Sequence, residues 1–188
     1  VSYFGKVNYA FDDKYLISGT VRRDASSRFG KGNNSAIFPS VSAGWRMSRE
    51  KFMERTQNWL SDLKLRASWG INGNDQIDNN ATYNLYYTNM SNGSYNFNGD
   101  GATVQKDRSG NNDLKWEETK QLNFGIDAAF FDNRLGLTLD YFQKKTTGML
   151  IQKPYIGVIG EGGYKWYNAA SMDNSGVEAT FTWRDEIK

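Results

Sequence analysis

The residues that could do chemistry in this chain are few, and their types narrow what that chemistry is. Neither histidine nor cysteine occurs. That removes Ser–His and Cys–His catalysis, thiol nucleophiles, disulfides and most zinc sites. The carboxylate pairs Asp12–Asp13 and Glu117–Glu118 are sequential. On a strand they point to opposite faces and in a turn they crowd, so neither suggests a general acid and base. Arg22, Arg23 and Arg28, with Asp24, form a basic stretch in VRRDASSRFG. It reads as an anion site or as a strand end surfacing into water. The nearby FGKGNNS lacks the spacing of a phosphate-cradling loop, which favours the second reading.

Two further groups are candidates for binding. Residues 96–107, NFNGDGATVQKD, carry part of a calcium-loop spacing in Asn96, Asn98, Asp100, Gly101 and Asp107. Its first ligand position is Asn rather than Asp and it has no helical flanks, so a polar Asn/Gly turn explains the same residues. The aromatics Tyr83, Tyr86, Tyr87, Tyr95, Phe97, Tyr155, Tyr164, Trp166 and Tyr167 stand in polar segments rich in Asn and Gly. Such rings suit sugars or peptides, and they equally suit packing of loops on each other. No cofactor is called for. A net charge of +2 is too balanced for a surface that tracks nucleic acid.

The elements that carry these residues follow a period of two. Val1, Tyr3, Val7, Tyr9 and Phe11 share one face of the first segment, with Ser2, Lys6 and Asn8 on the other. Asp12–Lys14 is a tight turn. Tyr15, Ile17 and Val21 follow, then Val41, Ala43, Trp45 and Met47. Over 49–61 the spacing of Phe52, Arg55, Thr56, Trp59 and Leu60 predicts a short amphipathic helix. Alternation returns at Leu63–Ile71, Leu122–Phe130, Leu135–Tyr141 and Val177–Trp183. Residues 132–134 make another tight turn, whereas 25–37, 72–114 and 154–174 read as long loops. The result is an all-β chain of about seven antiparallel up-and-down strands, whose long loops all fall at one end.

Alternation alone leaves the apolar face either as a core or as a lipid-facing wall. Three features favour lipid. The strands have the nine to eleven tilted residues that cross a bilayer. The loops are asymmetric in length. Aromatics (Tyr9, Phe11, Tyr15, Phe130, Trp183) cluster near strand ends, where interfaces attract them. The opposite face, mostly Gly, Ser, Thr and Asn, suits a wet lumen better than a dry core. A mean hydropathy of −0.71 does not conflict, because only alternate residues need be apolar.

The blocks YLISGTVRRDASSRFG, FPSVSAGWRMS, FMERTQNWLSDLKLRASWGINGND, NDLKWEETKQLNFGIDAAFFDNRLGLTLDYFQKKTTGML and NAASMDNSGVEATFTW resemble, in order, landmarks of the SusC/RagA family. The resemblance is weakest over 74–112 and 154–168. These are TonB-dependent outer-membrane transporters of Bacteroidetes-type bacteria. The resemblance implies a barrel of about 22 strands, plugged by an N-terminal domain and lidded by a SusD-like surface lipoprotein. Glycans or oligopeptides would be drawn through by TonB, with no catalysis. Residues 1–188 are then expected to be a partial barrel domain, with signal peptide, plug, TonB box and remaining strands outside it. The 49–61 helix and the tight turns would be periplasmic, and the long loops extracellular. There Tyr83, Tyr86, Tyr95, Phe97, Tyr164, Trp166 and Tyr167 are the candidates for substrate or lipoprotein contact. The competing expectation is a soluble β-rich carbohydrate-binding or adhesin domain.

Overall fold

A computed structural model describes residues 1–89, 103–154 and 163–185. Nine strands are formed: β1 (Ser2–Phe11), β2 (Tyr15–Ala25), β3 (Ser35–Arg46), β4 (Leu60–Asn74), β5 (Leu85–Asn89), β6 (Thr103–Arg108), β7 (Glu117–Phe130), β8 (Leu135–Pro154) and β9 (Tyr164–Trp183). Seven of them make one sheet in the order β1-β2-β3-β4-β7-β8-β9, and β5 with β6 makes a separate two-stranded ribbon. Every pairing is antiparallel between successive strands of the sheet. This is the expected up-and-down meander.

Register carries the alternation across all seven strands. One row runs Tyr9–Ile17–Ala43–Ala67–Phe124–Tyr141–Val177. The adjacent row, on the other face, runs Asn8–Ser18–Ser42–Ser68–Asn123–Phe142–Gly176. Directly opposed residues share a face, so one surface is apolar throughout and the other largely polar. The apolar surface is uncovered: Phe124 and Ile126, on a strand flanked on both sides, remain 49% and 41% exposed. A soluble sandwich would bury them under a second sheet. A lipid-facing wall leaves them where they are.

The tight turns owe their shape to short polar side chains. Asp12 and Asp13 take φ of 51° and 50°, and Lys14 N–H donates to the Phe11 carbonyl at 3.0 Å. Asp132 and Asn133 repeat this left-handed pair, closed by Arg134 N–H on Phe131 O at 3.1 Å. Such two-residue turns match the twist of the strands they join, and Asp and Asn tolerate the conformation. The same end holds the third connection. Instead of one amphipathic helix over 49–61, it contains two 3-10 turns, Met47–Arg49 and Lys51–Thr56. Glu50 lies between them in extended backbone. Its carboxylate accepts from Tyr15 Oη at 2.7 Å and Trp45 Nε1 at 3.2 Å, and these bonds hold it out of the helix.

The long loops are more ordered than alternation suggests. β4 reaches Asn74, and the β5–β6 ribbon occupies much of 72–114. β8 and β9 each run for 20 residues, so Tyr164, Trp166 and Tyr167 are strand residues rather than loop residues. Register shifts between Thr146 and Leu150, with Gly148 at φ 64°, scramble the period of two there and hide the strand from a sequence reading.

In the full-length protein in a bilayer, Leu137→Arg on the apolar face should destabilise by about 2–4 kcal/mol near mid-membrane. Thr138→Arg, one residue on and facing the lumen beside Asp127, should cost much less. Denaturant unfolding in vesicles measures both. Equal large penalties would indicate a packed soluble core.

Candidate functional site

The polar face is crossed by a charged cluster. Arg66 on β4 donates Nε to Asp127 Oδ2 at 2.7 Å and Nη2 to Asp127 Oδ1 at 3.0 Å. Nη2 also reaches Asp140 Oδ2 at 3.2 Å, and Thr138 Oγ1 donates to Asp127 at 3.3 Å. The ladder places Gly125 between Arg66 and Asp140, opposite both. A Cβ there would lie 2.6 Å from Asp140 Oδ1 and 2.7 Å from the Arg66 guanidinium. The glycine is what lets one guanidinium meet two carboxylates from two neighbouring strands.

The basic stretch at 21–30 is a set of structural ties. Arg22 pairs with Asp24 at 2.8 Å and lies over the Phe38 ring at 5.6 Å. Arg28 donates to Asn79 Oδ1 at 3.0 Å and to the Asp75 carbonyl at 2.9 Å, binding the β2–β3 loop to the β4–β5 loop. Arg23 has the apolar-face parity and is exposed.

Above the sheet these loops close over a small core of Phe29, Ile77, Ala81 and Leu114, with Trp116, Leu150 and Trp166 against it. Phe38 abuts Trp116 edge-on at 5.5 Å. Its ring fills the space a Cβ on Gly73 would need, at 1.9 Å. Polar side chains lock the loops. Asn168 donates Nδ2 to the Lys115 and Gly148 carbonyls, each at 2.8 Å, and accepts Lys115 N–H at 2.9 Å. Asn111 donates to the Trp166 carbonyl at 2.8 Å. Asp78 accepts from Arg108 at the base of β6 and from Trp166 Nε1 at 3.2 Å, bolting the β5–β6 ribbon to β9.

The expected aromatics therefore divide. Tyr83, Tyr86 and Tyr164 are exposed. Trp166 is half-buried in the small core, and Tyr167 is half-buried beside Lys153 and Lys165. Tyr95, Phe97 and Tyr155 lie outside the described residues. So do Asn96, Asn98, Asp100 and Gly101 of the calcium spacing, while Asp107 is exposed on β6. Among the described residues no three acidic side chains group to hold a metal. Sequence reasoning passes over Asp78, Asn111, Asn168 and Gly125. Their partners are distant in the chain, and no local spacing signals them.

At the opposite end, Glu50 is tied to three neighbours. The hydrogen bond from Tyr15 and then that from Trp45 hold its carboxyl below the usual glutamate range, and Lys14 at 3.8 Å adds to this. Lys14, hydrogen-bonded to Asp12, is raised above the usual lysine value.

A single curved wall of strands, apolar outside and charged within, with short turns at one end and braced loops at the other, is the architecture of an outer-membrane β-barrel. The family model for the TonB dependent receptor-like β-barrel matches residues 1–187, and the chain belongs to that family. TonB-dependent receptor P3 of Formosa agariphila is 39% identical over 97% of this chain and 19% of its own length. TonB-dependent receptor SusC of Bacteroides thetaiotaomicron is 36% identical over 95% of this chain and 18% of its own. The structure of the RagAB peptide importer in the "closed-closed" state superimposes with a TM-score of 0.87 at 36% identity, covering 100% of this chain and 20% of that one. The chain thus spans about a fifth of the length of the curated relatives it matches. It is an outer-membrane protein, and its apolar face meets that membrane's lipid.

Gly125→Ala should force Arg66 from Asp140 and lower stability by about 1–3 kcal/mol. Gly19→Ala, with nothing within 4 Å, should be neutral or mildly stabilising. Thermal unfolding of the full-length barrel compares them. Because the Glu50 carboxyl is depressed, its contribution is complete above the ordinary value of about 4.3 and is lost as pH falls through the folded value. Thermal stability should therefore drop on acidification below about pH 4, and Glu50→Gln should flatten that part of the profile.

Proposed function

We propose that this chain is a seven-strand part of the barrel domain of a TonB-dependent importer that takes up glycans or oligopeptides, capturing them with a SusD-like surface lipoprotein and drawing them in through TonB. The observation that carries the reading is the sheet itself, apolar on one face along its whole width, with β1 and β9 each paired on one side only. Unpaired backbone edges are untenable in hydrocarbon, so the wall continues in further strands. The names of the similar proteins, a SusC receptor and a RagAB peptide importer, support both substrate classes.

The chain's part is structural and selective rather than catalytic. The lumenal carboxylates Asp127 and Asp140 are committed to Arg66, and there is no histidine or cysteine to supply a nucleophile or base. Tyr83, Tyr86 and Tyr164 stand exposed at the loop end, and Tyr95 and Phe97 fall in sequence between β5 and β6. These rings would meet ligand or lipoprotein. The alternative of a soluble carbohydrate-binding domain loses its support with the uncovered apolar face.

Replacing residues 86–107 of the full-length receptor with a short Gly/Ser linker tests this. Barrel insertion, read as heat-modifiable electrophoretic mobility, should persist, because the sheet does not use the ribbon. Substrate uptake and lipoprotein co-purification should fall. Unchanged uptake and co-purification would remove the ribbon from ligand capture, and uptake indifferent to loss of TonB would refute the importer reading.

A further inference from the structure

Lys153 and Lys165 are directly opposed near the far end of the β8–β9 ribbon, and Ile151 opposes Tyr167 in the same ladder. This register puts both ammonium groups beside one ring. Lys153 Nζ lies 5.9 Å and Lys165 Nζ 5.6 Å from the Tyr167 centroid. Like charges directly opposed on a sheet destabilise it, and the negative face of the ring offsets only part of that. Lower on the same ribbon Lys145 is answered by Asp173 at 3.7 Å. Lys153 and Lys165 have no such carboxylate partner among the described residues. Trp166, between Lys165 and Tyr167, turns to the small core, so alternation sets the lysines on the side away from it. Lys153 is exposed and Lys165 half-buried.

We propose that Lys153, Lys165 and Tyr167 form a binding site for a tetrahedral oxyanion, carried by a sulfated saccharide that reaches the extracellular flank of the wall. A planar carboxylate is best met by the two-pronged fork of arginine, and the site has none. Two compact ammonium groups arriving from opposed strands suit an anion that accepts from several directions. Height separates a saccharide from a lipid phosphate as the source. Lys165 lies twelve residues along β9 from Val177, the last apolar residue of the lipid face, which is about 40 Å of strand. At barrel tilt this is about 30 Å above the hydrocarbon, whereas the headgroup layer is only about 6 Å deep. The inference rests on the proposed function only for the extracellular placement of this ribbon.

The test uses the full-length receptor in lipid nanodiscs, with surface plasmon resonance against dextran sulfate and neutral dextran. Dextran sulfate should bind, neutral dextran should not, and inorganic sulfate should compete on the unaltered protein. Lys153→Ala or Lys165→Ala should each weaken binding about threefold and the double variant about tenfold, while Lys153→Arg with Lys165→Arg should retain most of it. Heat-modifiable mobility confirms that each variant is assembled. Equal binding by the unaltered protein and the double alanine variant overturns the site. Polyglutamate competing as well as dextran sulfate at equal charge assigns it to acidic peptides instead. Loss confined to lipopolysaccharide vesicles assigns it to lipid phosphate. Failure of the importer reading would look different, with uptake independent of TonB while dextran sulfate binding stays intact.

Discussion

Inside hydrocarbon a strand's N–H and C=O groups have no water to turn to, so each must be bonded to the next strand in the wall. That constraint explains the meander. Each strand pairs with its sequence neighbour because the shortest connection satisfies the ladder, and two-residue Asp and Asn turns make it where nothing else is required. It also governs register. A slip of one residue would turn Phe124 and Ile126 inward and Arg66 outward into lipid, so the apolar and charged faces hold each other in place.

The inner face solves a second problem, that of keeping charge in a confined space. Arg66 is shared by Asp127 and Asp140, so two strands beyond its own are tied to it. The cluster forms only because Gly125 leaves room between them. A half-buried pair of this kind is costly to break from one side, since it leaves a charge unanswered. It therefore serves register as much as stability.

At the loop end the sheet no longer has lipid to shape it, and the loops build a small core of their own. Phe29, Leu114, Trp116 and Trp166 supply the apolar contact. Asn168, Asn111 and Asp78 satisfy backbone and indole groups that this contact would otherwise strand. The β5–β6 ribbon is thereby held to β9, and the exposed Tyr83, Tyr86 and Tyr164 are presented from a braced platform. At the turn end Glu50, tied to Tyr15 and Trp45, does the corresponding work and interrupts a helix to do it.

The class of fold, the strand count, the lipid-facing set and the tight turns were legible in the residues themselves. A period of two is local, and Asp-Asp or Asp-Asn at a turn carries its own backbone preference. The pairing of Arg22 with Asp24 was legible for the same reason, since both share one face two residues apart. The 20-residue reach of β8 and β9 was not, because the bulge around Gly148 breaks the period where the strand continues. Nor was the fate of the helix over 49–61, decided by a hydrogen bond from Tyr15, 35 residues away from Glu50. Trp166 read as a free ring and lies in a core. Lys153 and Lys165 read as ordinary surface charges until pairing set them opposite one another. Local preference travels with the sequence. Contacts between residues far apart in the chain exist only once register and loop closure have brought them together.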